Sequence, residues 1–117
     1  MKTVDQIADE FFKLRQLLWY VDWLEWHKSN PIEHLEVSVL TDVYNPAMSF
    51  ADTIDHAYQD EIDTRRLQSA SDLDRAKLLG QCVALAWVHA EPIQELELLC
   101  GPKKGEGLPK LPGVWEP

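Results

Sequence analysis

One stretch near the start of the chain carries two apolar stripes at helical spacing, and few folds can accommodate such a helix. Ile7, Phe11, Leu14, Leu18 and Val21 form the first stripe. Phe12, Trp19, Trp23 and Trp26 form a second, about 120° further round the same helix. Thr3 as N-cap with Gln6 three residues on makes a capping box, and Asn30-Pro31 interrupts the pattern after Lys28. A surface helix of a small domain needs only one apolar face. A helix with two is either sandwiched centrally or meets another molecule through one of them. The Trp stripe therefore predicts a second interface, to the chain's own tail or to another chain, since aromatic side chains are typical interface anchors. A homodimer through Trp19, Trp23 and Trp26 is one form of that outcome.

The rest of the chain also reads as helix. Asn30-Pro31-Ile32-Glu33 is a helix start, with Asn as N-cap, Pro at the first helical position and Glu in the first turn. Ile32, Leu35, Val39, Leu40 and Val43 continue it, and Tyr44-Asn45-Pro46 is expected to end it. A third helix is expected from Ser49 to Leu67, with Phe50, Ile54, Ala57, Tyr58 and Glu61-Ile62 on its inner side. Gln68-Ser69-Ala70 makes the next turn. A fourth starts at Ser71, with Asp72 and Asp74 where the helix dipole favours negative charge. From Leu78 it is apolar nearly all round: Leu79, Cys82, Val83, Leu85, Ala86, Trp87 and Val88. Pro92 breaks it, and Ile93 to Cys100 forms a short last helix closed by Gly101 and Pro102.

The segment 101–117 holds four of the five glycines and four of the seven prolines, and so reads as an irregular tail. Trp115 is unusual for a free tail. It either folds back onto the body or anchors a partner. The expectation is an all-α bundle of four to five helices over residues 1–100, followed by the Gly/Pro-rich tail 101–117. At 117 residues, with 45% hydrophobic and 26% charged residues, the chain has the makings of one ordinary globular core.

Two cysteines, Cys82 and Cys100, stand far apart in sequence. They suit a reducing compartment better than a disulfide scaffold. The start of the chain carries no apolar run behind a basic one, and Cys82 to Val88 is too short to span a bilayer. A cytoplasmic location is expected.

The net charge of −9 is unevenly distributed. Between Ser29 and Thr64 there is no Lys or Arg, while Glu33, Glu36, Asp42, Asp52, Asp55, Asp60, Glu61 and Asp63 fall there. Such a field repels nucleic-acid phosphate and anionic membranes and attracts basic surfaces. It also aids solubility. Asp52, His56, Asp60 and Asp63 are spaced by four, four and three residues, which on one helix lines up groups suited to a divalent cation. A solvated acidic face explains the same spacing. His27, His34 and His89 have no ligand-like partner spacing. The chain contains no H-E-x-x-H, no G-x-S-x-G and no P-loop. The all-helical nucleotide pyrophosphohydrolases use carboxylate pairs on neighbouring helices. Asp52-x-x-Asp55 and Asp60-x-x-Asp63 fall within one helical segment, so that family is not assigned.

These features point to a non-catalytic protein-binding module or inhibitor without a cofactor. Its acidic surface would occupy a basic, nucleic-acid-binding site on a partner protein. Small inhibitors carried by mobile elements, such as anti-CRISPR proteins, and immunity proteins for toxic nucleases share this size and charge. The alternatives are a small metal-dependent hydrolase built on the acidic stripe and a structural subunit dimerising through the Trp stripe. The expected contact residues are Glu33, Glu36, Asp52, Asp55, Asp60, Asp63, Trp19, Trp23 and Trp26, with no direct contact to DNA, RNA or membrane.

Overall fold

The first helix decides the architecture. In the computed structural model, which describes residues 4–69, 72–88, 108–112 and 114–115, α1 spans Val4–Ser29. Leu14, Leu17, Leu18, Trp19, Tyr20, Val21, Trp23 and Trp26 are all buried. Buried residues thus occur on every side of its second half, and α1 is the central helix of an all-α bundle. Of the two outcomes open to a two-faced helix, the described structure shows the sandwiched one. Phe12 is the exception in the second stripe, at 55% exposed.

After α1 the chain makes a 3-10 turn over Ile32–His34 and then an extended pair, Leu35-Glu36. Helical backbone resumes at Val37. This corrects the expected helix start at Asn30-Pro31. Pro31 is extended and caps nothing with its side chain, and the Asn30 side chain donates instead to the Trp26 carbonyl at 2.8 Å. Asn30 thus closes α1 and opens no new helix.

The expected stop at Tyr44-Asn45-Pro46 is also absent. One turn, α2 (Val37–Val39), runs through a π turn (Leu40–Tyr44) directly into α3 (Asn45–Ala57). Proline breaks a helix because it lacks an N–H and its ring meets the carbonyl four residues back. In the π turn the Asn45 N–H reaches back five residues, to the Leu40 carbonyl. The widened turn sits immediately before Pro46, where an α-helical ladder would be interrupted.

The expected Ser49–Leu67 helix is continuous with this segment at its start and divided further on. Tyr58, at φ −129° and ψ 33°, breaks the helical path between α3 and α4 (Gln59–Arg65). Arg66 then takes a left-handed conformation, φ 55° and ψ 42°, and its N–H bonds back to the carbonyls of Ile62 and Asp63. A 3-10 turn, Leu67–Ser69, leads to α5 (Asp72–Val88).

α1 packs against α5 and α3. α3 presents Ala47, Ala51 and Ile54, all buried and one turn apart. Ile62, Leu67, Leu78 and Cys82 complete the core from the later elements. The expected caps at Thr3 and Ser71 lie outside the described residues. So do Pro92, the Ile93–Cys100 helix, Cys100 and Gly101-Pro102, and the side chains of Ile7, Val83, Leu85, Ala86, Trp87 and Val88. No helix among the described residues is long and apolar enough to cross a membrane.

The described part of the tail is folded back onto the body. Leu111 and Trp115 pair as an antiparallel bridge, each N–H donating to the other's carbonyl at 2.7 Å. Both are buried, Leu111 at 0% and Trp115 at 1% exposed. Of the two roles open to Trp115 in the sequence, the structure shows the intramolecular one.

Candidate functional site

The aromatic stripe of α1 is a stack of rings closed within the molecule. Trp19 and Trp23 lie parallel with centroids 6.2 Å apart, and Trp23 and Trp26 follow at 5.9 Å. Phe50 of α3 meets Trp19 edge-on at 5.1 Å. His27 stacks on Trp23 at 5.2 Å, and Tyr44 meets Trp23 at 5.4 Å. Trp19 Nε1 donates to the Pro109 carbonyl of the tail at 2.9 Å. Trp19, Trp23 and Trp26 are 0%, 5% and 8% exposed. The dimer reading required this stripe on the surface. Instead, α3, the turn before it and the tail cover it, so its second interface is to the chain itself.

One turn away on α1 is a carboxylate that composition did not single out. Asp22 is buried and accepts hydrogen bonds from Arg75 Nε at 2.6 Å and Nη2 at 3.1 Å. Trp115 Nε1 donates to the same carboxylate at 2.7 Å. A buried carboxylate is tolerable only when charge and donors surround it. Here α5 supplies the charge and the tail a further donor, so one side chain joins three parts of the fold. Its only signal in the sequence is its position, an acid between Val21 and Trp23 in the most apolar part of the helix. Arg15, also buried, carries the same signal.

The carboxylates of residues 30–64 lie outside the core. Glu33 and Glu36 are exposed on the connection after α1, with Asp42 exposed on the π turn. Asp52 on α3 and Asp60 and Asp63 on α4 are exposed, and Asp55 is partly buried. Glu61 accepts from Lys13 Nζ at 3.0 Å and from Arg65 Nε at 2.8 Å. The Arg65 hydrogen bond, then that of Lys13, holds the Glu61 carboxyl below its ordinary range. Lys13 also binds Glu10 at 2.9 Å. Its ammonium is raised above the usual lysine value, first by Glu10. Arg75, a potential counter-charge for the acidic segment, is bound to Asp22.

Asp52, His56, Asp60 and Asp63 do not form one continuous helical stripe. The break at Tyr58 puts the first two on α3 and the last two on α4. Among the described residues no three His, Cys, Asp or Glu side chains are grouped so as to hold a metal ion.

What the structure does bring together is a cleft between α1 and the π turn with α3. It encloses about 270 Å³, and its walls include Tyr20, Trp23 and His27 from α1, Tyr44 from the π turn, and Asp52 and Asp55 from α3. The Asp55 Oδ1 atom is buried, with no hydrogen-bond donor among the described residues. The Tyr20 hydroxyl shares a hydrogen bond with the Gln68 side chain. Burial raises this phenol above its ordinary value, and the negative charges of Asp55, Asp52 and Asp63 raise it further. Three of the nominated aspartates, from two helices, therefore act on one buried hydroxyl. The sequence named Asp52, Asp55, Trp23 and the acidic segment, but it treated the aromatics and the acids as separate surfaces. Tyr20, His27 and Tyr44 were missed as partners of those acids.

Comparison with protein-family models, with curated proteins and with solved structures finds no match to this chain.

Proposed function

We propose that this protein is a non-catalytic binding module whose acidic face docks on a basic protein surface. In its most specific form it is an inhibitor occupying a nucleic-acid-binding site, in the manner of anti-CRISPR or immunity proteins. One observation carries the reading. Over a segment without a single Lys or Arg, Glu33, Glu36, Asp42, Asp52, Asp60 and Asp63 are all exposed. A one-signed surface of this kind steers a basic partner and repels phosphate. The binding residues are Glu33, Glu36, Asp52, Asp55, Asp60 and Asp63, and the proposed setting is the cytoplasm.

The test is kinetic. A basic protein captured from the native host is measured for association rate against salt, with wild type and with Asp52→Asn, Asp55→Asn, Asp60→Asn and Asp63→Asn combined. The wild-type rate is expected to fall steeply as salt screens the field, over about 8 Å at physiological ionic strength. The combined variant is expected to bind more slowly, with a shallower salt dependence. An unchanged rate and slope would reduce the patch to a solubility device. Tight wild-type binding to duplex DNA or RNA would reject the reading.

A further inference from the structure

We propose that the exposed strip running along α2, the π turn and the start of α3 is a docking face for a basic amphipathic helix of the partner protein. This rests on the reading just given and names the part of the acidic face that the partner covers.

Four large apolar side chains are exposed among the described residues. Phe12 lies on α1, but Ile32, Val37 and Met48 all fall in the segment without Lys or Arg. Val37 and Met48 belong to one continuous helical run and are 78% and 46% exposed. Their separation spans two α turns and the wider π turn, so both return to about the same side of the run, roughly 16 Å apart along its axis. Thr41 and Asn45, exposed at the intervening turns, are small and uncharged. From Val37 to Ser49 the only charged residue is Asp42. The other acids stand at the two ends, with Glu33 and Glu36 before the strip and Asp52 after it, all exposed.

This distribution is that of an interface, whose centre is depleted of charge and whose rim is polar. A surface kept acidic for solubility alone has no need of exposed Val37 and Met48 at its centre. The rim fixes the sign of the partner, because acids on this side are matched by Lys and Arg around the partner's own apolar side chains. The line of the strip fixes the partner's shape. A helix repeats its side chains on one face over the same three turns, so its apolar residues meet Val37 and Met48 together. The small Thr41 and Asn45 between them let the two helix axes approach closely. The acidic field draws the partner in from a distance, and burial of the apolar side chains then slows its release.

The probe is a synthetic amphipathic peptide of about 18 residues, or five helical turns, with leucines along one face and lysines and arginines elsewhere. It is titrated into the isotope-labelled full chain and followed by the backbone amide resonances. Two further peptides serve as comparisons. One has its leucines replaced by serine with the charges kept, and the other keeps its leucines with the charges reversed. The basic amphipathic peptide is expected to shift the amides of residues 37–49 saturably, and each comparison peptide to bind at least tenfold more weakly. Val37→Ser combined with Met48→Ser is expected to weaken binding at least fivefold with the circular dichroism spectrum retained, whereas Phe12→Ser leaves it unchanged. The absence of a saturable shift in wild type, or shifts centred outside residues 37–49, would overturn the proposal. So would equal binding of either comparison peptide, unchanged affinity of the combined Val37 and Met48 variant, or an equal loss in Phe12→Ser. If the peptide results fail while the captured partner's association rate keeps its salt dependence, only the docking face falls. If that salt dependence is absent, the acidic-face reading itself fails.

Discussion

Two side chains on α1, Asp22 and Tyr20, show how much of this fold rests on polar groups in an apolar helix. Asp22 is 5% exposed and joins Arg75 on α5 to the indole N–H of Trp115 in the tail. Asp22→Ala removes this acceptor from both and is expected to destabilise the protein by about 3–5 kcal/mol. Asp22→Asn keeps an acceptor for the indole but loses the charge opposite Arg75, so a smaller loss of about 1–3 kcal/mol is expected. Urea denaturation of the two variants measures the difference, and equal losses would show that the charge is immaterial. Tyr20 makes a prediction about pH. Burial, then the neighbouring aspartates, raises its phenol in the folded state. The unfolded phenol ionises first, near its ordinary value of about 10. The stabilising effect of the neutral form is therefore complete below that pH and lost as pH rises through the higher folded value. Wild type is expected to lose stability above about pH 10 more steeply than Tyr20→Phe, which has no proton to lose. Parallel pH profiles of the urea midpoint would contradict this.

At the level of elements, the helices themselves were readable and their joints were not. Spacing predicts α1 and α5 closely because periodicity is an average over many residues, and single exceptions such as Phe12 do not disturb it. Breaks depend on one or two residues whose effect is set by their surroundings. Pro46 reads as a stop, yet the π turn before it carries helical backbone past it, and Val43, Tyr44, Ala47 and Ala51 remain buried across the junction. Tyr58 carries no breaking signal, yet the helix divides there. The packing of α3 on α1 was legible only in part. The sequence named Phe50 and Ile54, whereas the buried positions one turn apart include Ala47 and Ala51. Their small size suits a close approach of α3 to the core. Ala51→Leu is expected to overpack this contact and lower stability by about 1–3 kcal/mol. Asp52→Leu, at the exposed neighbouring position, is expected to change stability by less than about 0.5 kcal/mol. Thermal unfolding followed by circular dichroism distinguishes them, and similar midpoints would mean that α3 does not pack closely through Ala51.

For the molecule as a whole, the feature least legible in the sequence is the role of its end. A Gly/Pro-rich run signals irregular structure, and composition cannot reveal where such a run docks. Trp115 was the one hint, because a large aromatic residue is out of place in a solvated tail. Its hydrogen-bond partner is 93 residues away, a separation that local patterns do not encode. The candidate site was half legible for a similar reason. Charge along the chain marked the acids, but the aromatic wall beside Asp52 and Asp55 forms only when α3 meets α1. The tail also fastens this central helix, through Trp115 to Asp22 and through the Pro109 carbonyl to Trp19. Leu111 and Trp115 each bury a large apolar side chain, worth about 1.5–3 kcal/mol apiece. The hydrogen bond to the Asp22 carboxylate adds about 1.5–3 kcal/mol. Against a total stability of about 5–15 kcal/mol, these contributions form a large share. Deleting residues 108–117 is therefore expected to lower the urea midpoint sharply or abolish the cooperative transition. A synthetic peptide of residues 108–117, added in excess, is expected to restore part of the loss and to change the fluorescence of the α1 tryptophans. If the truncated chain unfolds at the same midpoint as the full chain, the contacts of Leu111 and Trp115 contribute nothing net to stability. Among the described residues, α1 would then owe its stability chiefly to α3 and α5.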